Sequence, residues 1–414
     1  MSARRRGSPE VASEDTTMRV IGMISGTSFD AVEAVAVDLA LEGETLVCDL
    51  LGHASVAYPS ALRRAIEEIL PPAPTTIEAV CRLDTELGQA FAAIAGDVMD
   101  RYCGGRVDVV CSHGQTVFHW VEDGRARGTL QLGEPAWIAQ RTGAAVVSDV
   151  RSRDIASGGQ GAPLASLLDV LLLGGRRDAV RVALNLGGIA NVTVLDPHHP
   201  PLAFDTGPAN ALIDAAVRWV TQDAEPYDRD GRRAAAGAVD QRLLARLLAD
   251  PYYVTPPPKS TGKEHFHLAY LLEALEGRTI PADDLVATVT ALSAETVGNV
   301  IRSCGASEAI VSGGGTRNPT LMAELTRRLP GVTVRRTDDY GVPEGAKEAL
   351  VFAVIGFLTL HGLPGAIASC TGARHASVLG SITPGRTAPS WGGGARMPSR
   401  LVIRTLLPTE ARGA

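Results

Sequence analysis

The sequence predicts an α/β protein in which one topology is used twice, and three observations carry that reading. A chain of 414 residues exceeds what one hydrophobic core ordinarily holds, so two domains of roughly 150 to 200 residues are expected. Apolar strand-like runs alternate with helical periodicities, which is the α/β pattern. Near residue 180 the same order of strands, glycine turns and helices starts again, although the halves do not align residue for residue.

The opening MSARRRGSPEVASEDTT has arginines but no apolar stretch behind them, so 1–17 is read as a disordered tail and not an export signal, with Met18 as an alternative start. RVIGMI, SGTSFD and AVEAVAVDLA follow as strand, polar turn and second strand, a hairpin tipped by Gly26, Thr27 and Ser28. ALRRAIEEIL and TIEAVCRLDTELGQAFAAIAGDVMDRY have helical spacing, and VDVVCSHG reads as a short buried strand ending in a polar loop. The second round begins with VRVALNLGGIANVTVLD, a strand, a turn at Gly187 and Gly188, and a strand. AFDTGPAN is a third strand with its turn, and EAIVSGGGTRNPTLMAELTRRL is a strand, a glycine turn through Gly313, Gly314 and Gly315, and a helix. ALVFAVIGFLTL, from Ala349 to Leu360, falls short of the roughly 20 residues that cross a bilayer and is expected as a buried helix. The expected units are 18–150 and 151–349, with 350–385 packing back on the first and 386–414 a loose extension.

Charge and composition exclude several functions. A formal net charge of −7 supplies no basic face for a phosphate backbone, so nucleic acid is not an expected partner, and neither is a membrane. The six cysteines include no C-x-x-C pair, which argues against a zinc knuckle or a disulfide framework and for reduced, core-filling thiols. His113 and His119 share no helix face and no H-E-x-x-H occurs, so they are not read as metal ligands.

Three turns, SGTSFD, NLGGIANVT and VSGGGTRN, sit at the carboxyl ends of expected strands, where open α/β sheets bind ligands and small residues admit phosphate oxygens to backbone N–H groups. G-x-x-x-x-G-K-[ST] is absent, and no strand opens into G-x-G-x-x-G with a distant acid, which excludes a P-loop and a nicotinamide site. What remains is a two-domain ATP-binding protein whose hairpin tips clasp the phosphates.

Asp205 is read at the end of its strand, where the Thr206-Gly207-Pro208 turn exposes its carboxylate as a general base; the competing reading is a cap for the NALIDAAVRWV helix. Asp30 is either a water-bridged Mg²⁺ ligand or an ordinary turn residue, while Glu33 and Asp38 alternate along the next strand toward solvent. Arg151, Arg153, Asp149 and Asp154, followed by Gly158, Gly159 and Gly161, suit an oxygen-rich ligand or a salt-bridged linker. His113, Gln115 and Thr116 are expected to donate hydrogen bonds to a polar substrate from a loop, and Lys259 and Lys263 face either a cleft or solvent.

In order and spacing, MISGTSFD, CSHGQTVFH, QLGEPAWIAQRTG, SDVRSRDIASGGQGAPL, NLGGIANVT, FDTGPAN, YDRDG, PPPKSTGKE, SGGGTRNPTLM, AKEALVFA and LPGAIASCTGA resemble the anhydro-N-acetylmuramic acid kinases over roughly residues 18 to 385. The resemblance implies two ribonuclease-H-like domains of the actin-like ATPase type flanking a nucleotide cleft. It implies hydrolytic opening of a 1,6-anhydro muramic sugar with phosphorylation of O6, ATP and Mg²⁺ as cofactors, a cytoplasmic role in cell-wall recycling, and a homodimer. Residue by residue, Gly26, Thr27, Ser28, Phe29, Asp30, Ala31, Val32 and Glu33 become the phosphate hairpin. Gly187, Gly188 and Asn191 join the nucleotide site, with Gly313, Gly314 and Gly315 near the adenosine. Asp205 becomes the base, and Arg151, Asn210 and Glu348 sugar ligands.

Ala31, Glu33 and Ala209 depart from the family's usual Gly, Asp and Gly. An alanine forced to a positive φ costs about 1 kcal/mol and would shift the nucleotide. A relative of the family acts on levoglucosan, so another 1,6-anhydro sugar is the alternative substrate; a non-catalytic ATP or sugar sensor is the alternative to an enzyme.

Overall fold

The computed structural model describes residues 17–26, 29–174, 178–343, 345–386 and 395–405. Apart from Thr17, the expected tail lies outside the described residues. β1 (Met18–Ser25), β2 (Ala31–Glu42) and β3 (Thr45–Ala57) form an antiparallel meander. β4 (Val109–Glu122) runs parallel to β1 on its other side, its far half pairs with β5 (Arg125–Leu132), and β6 (Ala145–Ser148) lies parallel beyond β4.

The second sheet repeats this plan. β7 (Arg181–Leu186), β8 (Ile189–Leu195) and β9 (Leu202–Pro208) are the meander, and β10 (Glu308–Ser312) and β11 (Thr333–Arg336) extend β7 in parallel. The orders β3-β2-β1-β4-β6 and β9-β8-β7-β10-β11 are one ribonuclease-H-like topology present twice. β12 (Ser381–Thr383) pairs with β6, and β13 (Arg400–Thr405) runs parallel to β3. The alternating LVIRT therefore covers a sheet edge within the stretch read from sequence as a loose extension, because an unpaired β3 would leave its backbone groups open.

β1 is apolar on both faces because both are covered. Val20 and Ile24 join one core, Ile21 and Met23 the other. The first of these faces lies against the helix Ala346–Leu360, in which every residue from Ala349 onward is buried. Among the described residues no helix is long and apolar enough to cross a membrane. Contact is closest at Gly22, where an added Cβ would meet the Ala349 carbonyl at 2.1 Å and the Ala353 nitrogen at 2.4 Å. Gly22→Ala should therefore destabilise the protein by about 1–3 kcal/mol, read in urea unfolding, because neither backbone can give way.

The two sheets meet at a buried polar knot. Lys347 Nζ pairs with Asp169 Oδ1 at 2.7 Å and donates to Ser312 Oγ at 3.1 Å, while Thr193 Oγ1 donates to Asp169 Oδ2 at 2.8 Å. Lys347 belongs to the helix against the first sheet, whereas Thr193 and Ser312 sit on β8 and β10 of the second. Cys48, Cys103, Cys111 and Cys370 fill the core as expected; Cys81 is exposed and Cys304 half-buried.

Candidate active site

The carboxyl ends of β1, β7 and β10 carry the three turns singled out in the sequence. At the first, Ser25 Oγ donates to Gln115 Oε1 at 2.6 Å, and Gln115 Nε2 donates to the carbonyls of Gly26 at 3.3 Å and Thr116 at 3.1 Å. Gln115 is fully buried and anchors the hairpin; its amide is not free for a substrate. Phe29 adopts φ 42° and donates its N–H to Gly26, under the Arg63 guanidinium. Thr27 and Ser28 lie outside the described residues. Ala31 and Val32 open β2, and Glu33 accepts from Ser55 Oγ at 2.6 Å.

His113, Gln115 and Thr116 do not sit on a loop. β4 continues through them to Glu122, because Gly114 at φ 72° takes up the irregularity and β5 pairs with the extension. Thr116 Oγ1 accepts from Gln131 at 3.1 Å.

At the second turn, Asn210 Nδ2 donates to the carbonyls of Leu186 at 2.9 Å and Gly187 at 2.8 Å, which clamps the Gly187-Gly188 bend. The third turn packs against the same bend: a Cβ on Gly313 would meet Asn185 Oδ1 at 2.4 Å, and one on Gly315 the Leu186 Cβ at 2.7 Å. Gly314 faces open space. The second and third turns are thus brought together, and at Gly313 and Gly315 by contacts that only glycine permits.

Asp205 stands in the middle of β9 and not at its end, opposite Asn191 on β8, because β9 runs on through Thr206 and Gly207 to Pro208. It caps nothing: the N-cap of the helix Asn210–Thr221 is Ala209, with no side-chain cap. One carboxylate oxygen accepts the Thr261 N–H at 3.0 Å. The backbone is pinned on both sides, its N–H donating to the Lys259 carbonyl at 3.0 Å and its carbonyl accepting from Tyr252 Oη at 2.7 Å. Burial raises the carboxyl to about 6, the Thr261 bond opposes that, and Glu264 adds to it. Lys259 turns its ammonium onto the Tyr252 and Tyr253 carbonyls.

Arg151 follows β6. Its Nε donates to His113 Nε2 at 2.7 Å and its Nη1 to the Gly161 carbonyl at 2.6 Å. Asp154 is buried and holds the glycine run, accepting from Gly161 N–H and Thr371 Oγ1, both at 2.8 Å. Glu348, in the first turn of the helix Ala346–Leu360, still meets water although protein walls surround it. Those walls push its carboxyl up, Lys347 pulls it back, Glu33 adds to the rise and Arg151 again opposes. Arg151 falls to about 10 through burial, with Glu348 and Asp154 resisting. Groups so enclosed and yet wet line a crevice.

The feared alanine strain is absent. Ala209 has φ −126°, and Ala31 is not among the residues at positive φ. Sequence reasoning missed Tyr252 and Thr261 as supports of Asp205, although PPPKSTGKE spans the latter. It also missed Asp214, on the helix after Asn210, whose carboxyl burial likewise raises to about 6 against Arg218 and Lys263. None of the three has a periodicity or spacing that marks it.

For a metal, the described residues contain no cluster of three or more His, Cys, Asp and Glu. Asp30 is one exposed carboxylate, ion-paired to Arg63 at 3.3 Å. That donor set does not cage an ion. It fits a Mg²⁺ that arrives on phosphate oxygens and needs one carboxylate through water.

A family model described as anhydro-N-acetylmuramic acid kinase matches residues 18–385. The chain is 60% identical over 370 residues to the anhydro-N-acetylmuramic acid kinase of Streptomyces coelicolor, covering 89% of this chain and 94% of that one. To the enzyme of the same name from Rhodococcus erythropolis it is 57% identical over 376 residues, again 89% and 94% of the two chains. Among solved structures, the activator of the 2-hydroxyisocaproyl-CoA dehydratase from Clostridium difficile with bound ADPNP is similar at a TM-score of 0.39 and 13% identity, over 82% of this chain and 94% of that one.

Proposed function

The chain belongs to the anhydro-N-acetylmuramic acid kinase family, and from that premise we propose that it opens 1,6-anhydro-N-acetylmuramic acid with water and phosphorylates O6 from ATP. The products are N-acetylmuramate 6-phosphate and ADP, a step that returns cell-wall sugar to metabolism. One observation carries the mechanism: Asp205 is held at three points on a strand, and burial lifts its carboxyl into the range of a general base.

Asp205 takes a proton from water as that water's oxygen bonds the anomeric carbon. The bond from that carbon to the bridging oxygen breaks, and its electron pair stays on O6. O6 then bonds the γ-phosphorus, the bond from that phosphorus to the β,γ-bridging oxygen breaks, and ADP leaves. The hairpin from Gly26 to Glu33, with Gly187 and Gly188, offers backbone N–H groups to the phosphates, and Gly313 to Gly315 receive the adenosine. Asn191 stands beside the base, opposite Asp205 in the sheet. Arg151 and Glu348 face the sugar, while Asn210, Gln115 and His113 hold the walls. Asp30 would hold, through water, a Mg²⁺ that arrives with the nucleotide, and the ion would supply charge neutralisation on the transferring phosphoryl.

The test is direct. The purified protein, incubated with ATP, Mg²⁺ and the anhydro-muramyl sugar in ¹⁸O-water, should release ADP and a 6-phosphate carrying one heavy oxygen at the anomeric position. Product without the label would sink the hydrolytic step. Turnover of 1,6-anhydroglucose but not of the muramyl sugar would reassign the substrate.

A further inference from the structure

His113, expected to meet the substrate, is engaged elsewhere on both ring nitrogens. Its ring is 3% exposed and lies 4.8 Å from the ring of Phe352, one helical turn beyond Glu348. Nε2 stands 2.7 Å from Arg151 Nε, and a guanidinium has N–H groups only to give. Nε2 must therefore carry the lone pair and Nδ1 the proton. Nδ1 lies 3.0 Å from the Gly114 carbonyl, which accepts it. The histidine is thus a neutral ring in one tautomer, fixed by a strand irregularity on one side and an arginine on the other.

Arg151 is then held at two places, Nε on His113 and Nη1 on the Gly161 carbonyl. Nη2 makes no hydrogen bond among the described residues, and the arginine's field reaches Glu348 across the crevice. We propose that His113 is a positioning residue: as a neutral acceptor it aims Arg151 at oxygen atoms of the bound sugar and touches no substrate itself. This rests on the reading of Arg151 as a sugar ligand. The arrangement suits the site, because a neutral ring beside Arg151 holds it without cancelling the positive charge it offers.

Two variants and one spectrum test it. His113→Phe keeps a ring against Phe352 and removes the acceptor; His113→Gln keeps an acceptor near Nε2 and removes the ring. The Phe variant should raise the KM for the anhydro sugar by about 10- to 100-fold, with kcat and the KM for ATP within about threefold, and the Gln variant should recover most of it. A packing role reverses that order, with Gln the worse of the two, and would overturn the proposal. Arg151→Met, run alongside, separates the layers. An unchanged sugar KM there removes the sugar-site reading and the proposal with it, whereas a raised KM there beside a normal one in His113→Phe overturns only the part given to His113. Nitrogen-15 spectra of histidine in the wild-type protein do not depend on any variant folding: an Nδ1–H tautomer for His113 supports the proposal, and an Nε2–H tautomer overturns it.

Discussion

Asp205→Asn should lower turnover by about 10²- to 10⁴-fold while leaving affinity for an ATP analogue within about threefold, read by ADP release and by calorimetry. Asparagine keeps an oxygen for the Thr261 N–H, so the strand and its neighbours stay in place while the proton acceptor is lost. In the parent, the base form disappears as pH falls through about 6, so kcat/KM should drop tenfold per unit below that value and level off above it. Stability moves the opposite way. Below the ordinary 3.8 the carboxyl is protonated in both folded and unfolded chains; from there to about 6 only the folded state keeps the proton. The folded state therefore loses stability as pH rises through that window, and the loss persists at neutral pH. Asn carries no charge to desolvate, so the variant should be more stable than the parent at pH 7 by about 1–3 kcal/mol, a gain that vanishes near pH 4. Asp214 titrates in the same range, and an acid limb alone does not separate the two. Asp214→Asn should hold turnover within about threefold; a collapse there with a near-normal Asp205→Asn would move the base to the helix.

Lys347→Met should destabilise the protein by about 3–5 kcal/mol, measured by urea unfolding, because it strands the Asp169 carboxylate among buried groups. Lys347 and Asp169 are both buried, and water is not at hand to replace the lost partner. The double variant Lys347→Met, Asp169→Leu should recover most of that loss, since apolar side chains of like volume replace a buried pair at little cost. Recovery will be incomplete, because Thr193 and Ser312 each lose a hydrogen-bond partner. A single-variant loss below about 1 kcal/mol would show that the pair exchanges with solvent and does not pin the two sheets.

The fold was legible because it is written in local pattern. The apolar run of RVIGMI, the alternation in AVEAVAVDLA, the Gly-Gly bend at Gly187 and the restart near residue 180 each report a run, a period or a turn that neighbours along the chain decide. The three glycine turns were found for the same reason. Asp205 was found as a residue, but its setting was misjudged: FDTGP reads as a strand end followed by a turn, while β8 pairs with it as far as Pro208. CSHGQTVFH was misjudged alike, since its polar side chains look like a loop until β5 pairs alongside and supplies their backbone partners.

By itself the sequence determined the class of fold, its duplication, the turns that gather at the crevice and the identity of the candidate base. Tertiary structure alone decided which polar side chains are free to act. Gln115 is committed to the Gly26 carbonyl, Asn210 to those of Leu186 and Gly187, His113 to Arg151, and Lys347 to Asp169, each of these partners lying 23 or more positions away along the chain. A hydrogen bond depends on distance and direction in space and leaves no period in the sequence, whereas burial of a face repeats with every turn or pleat.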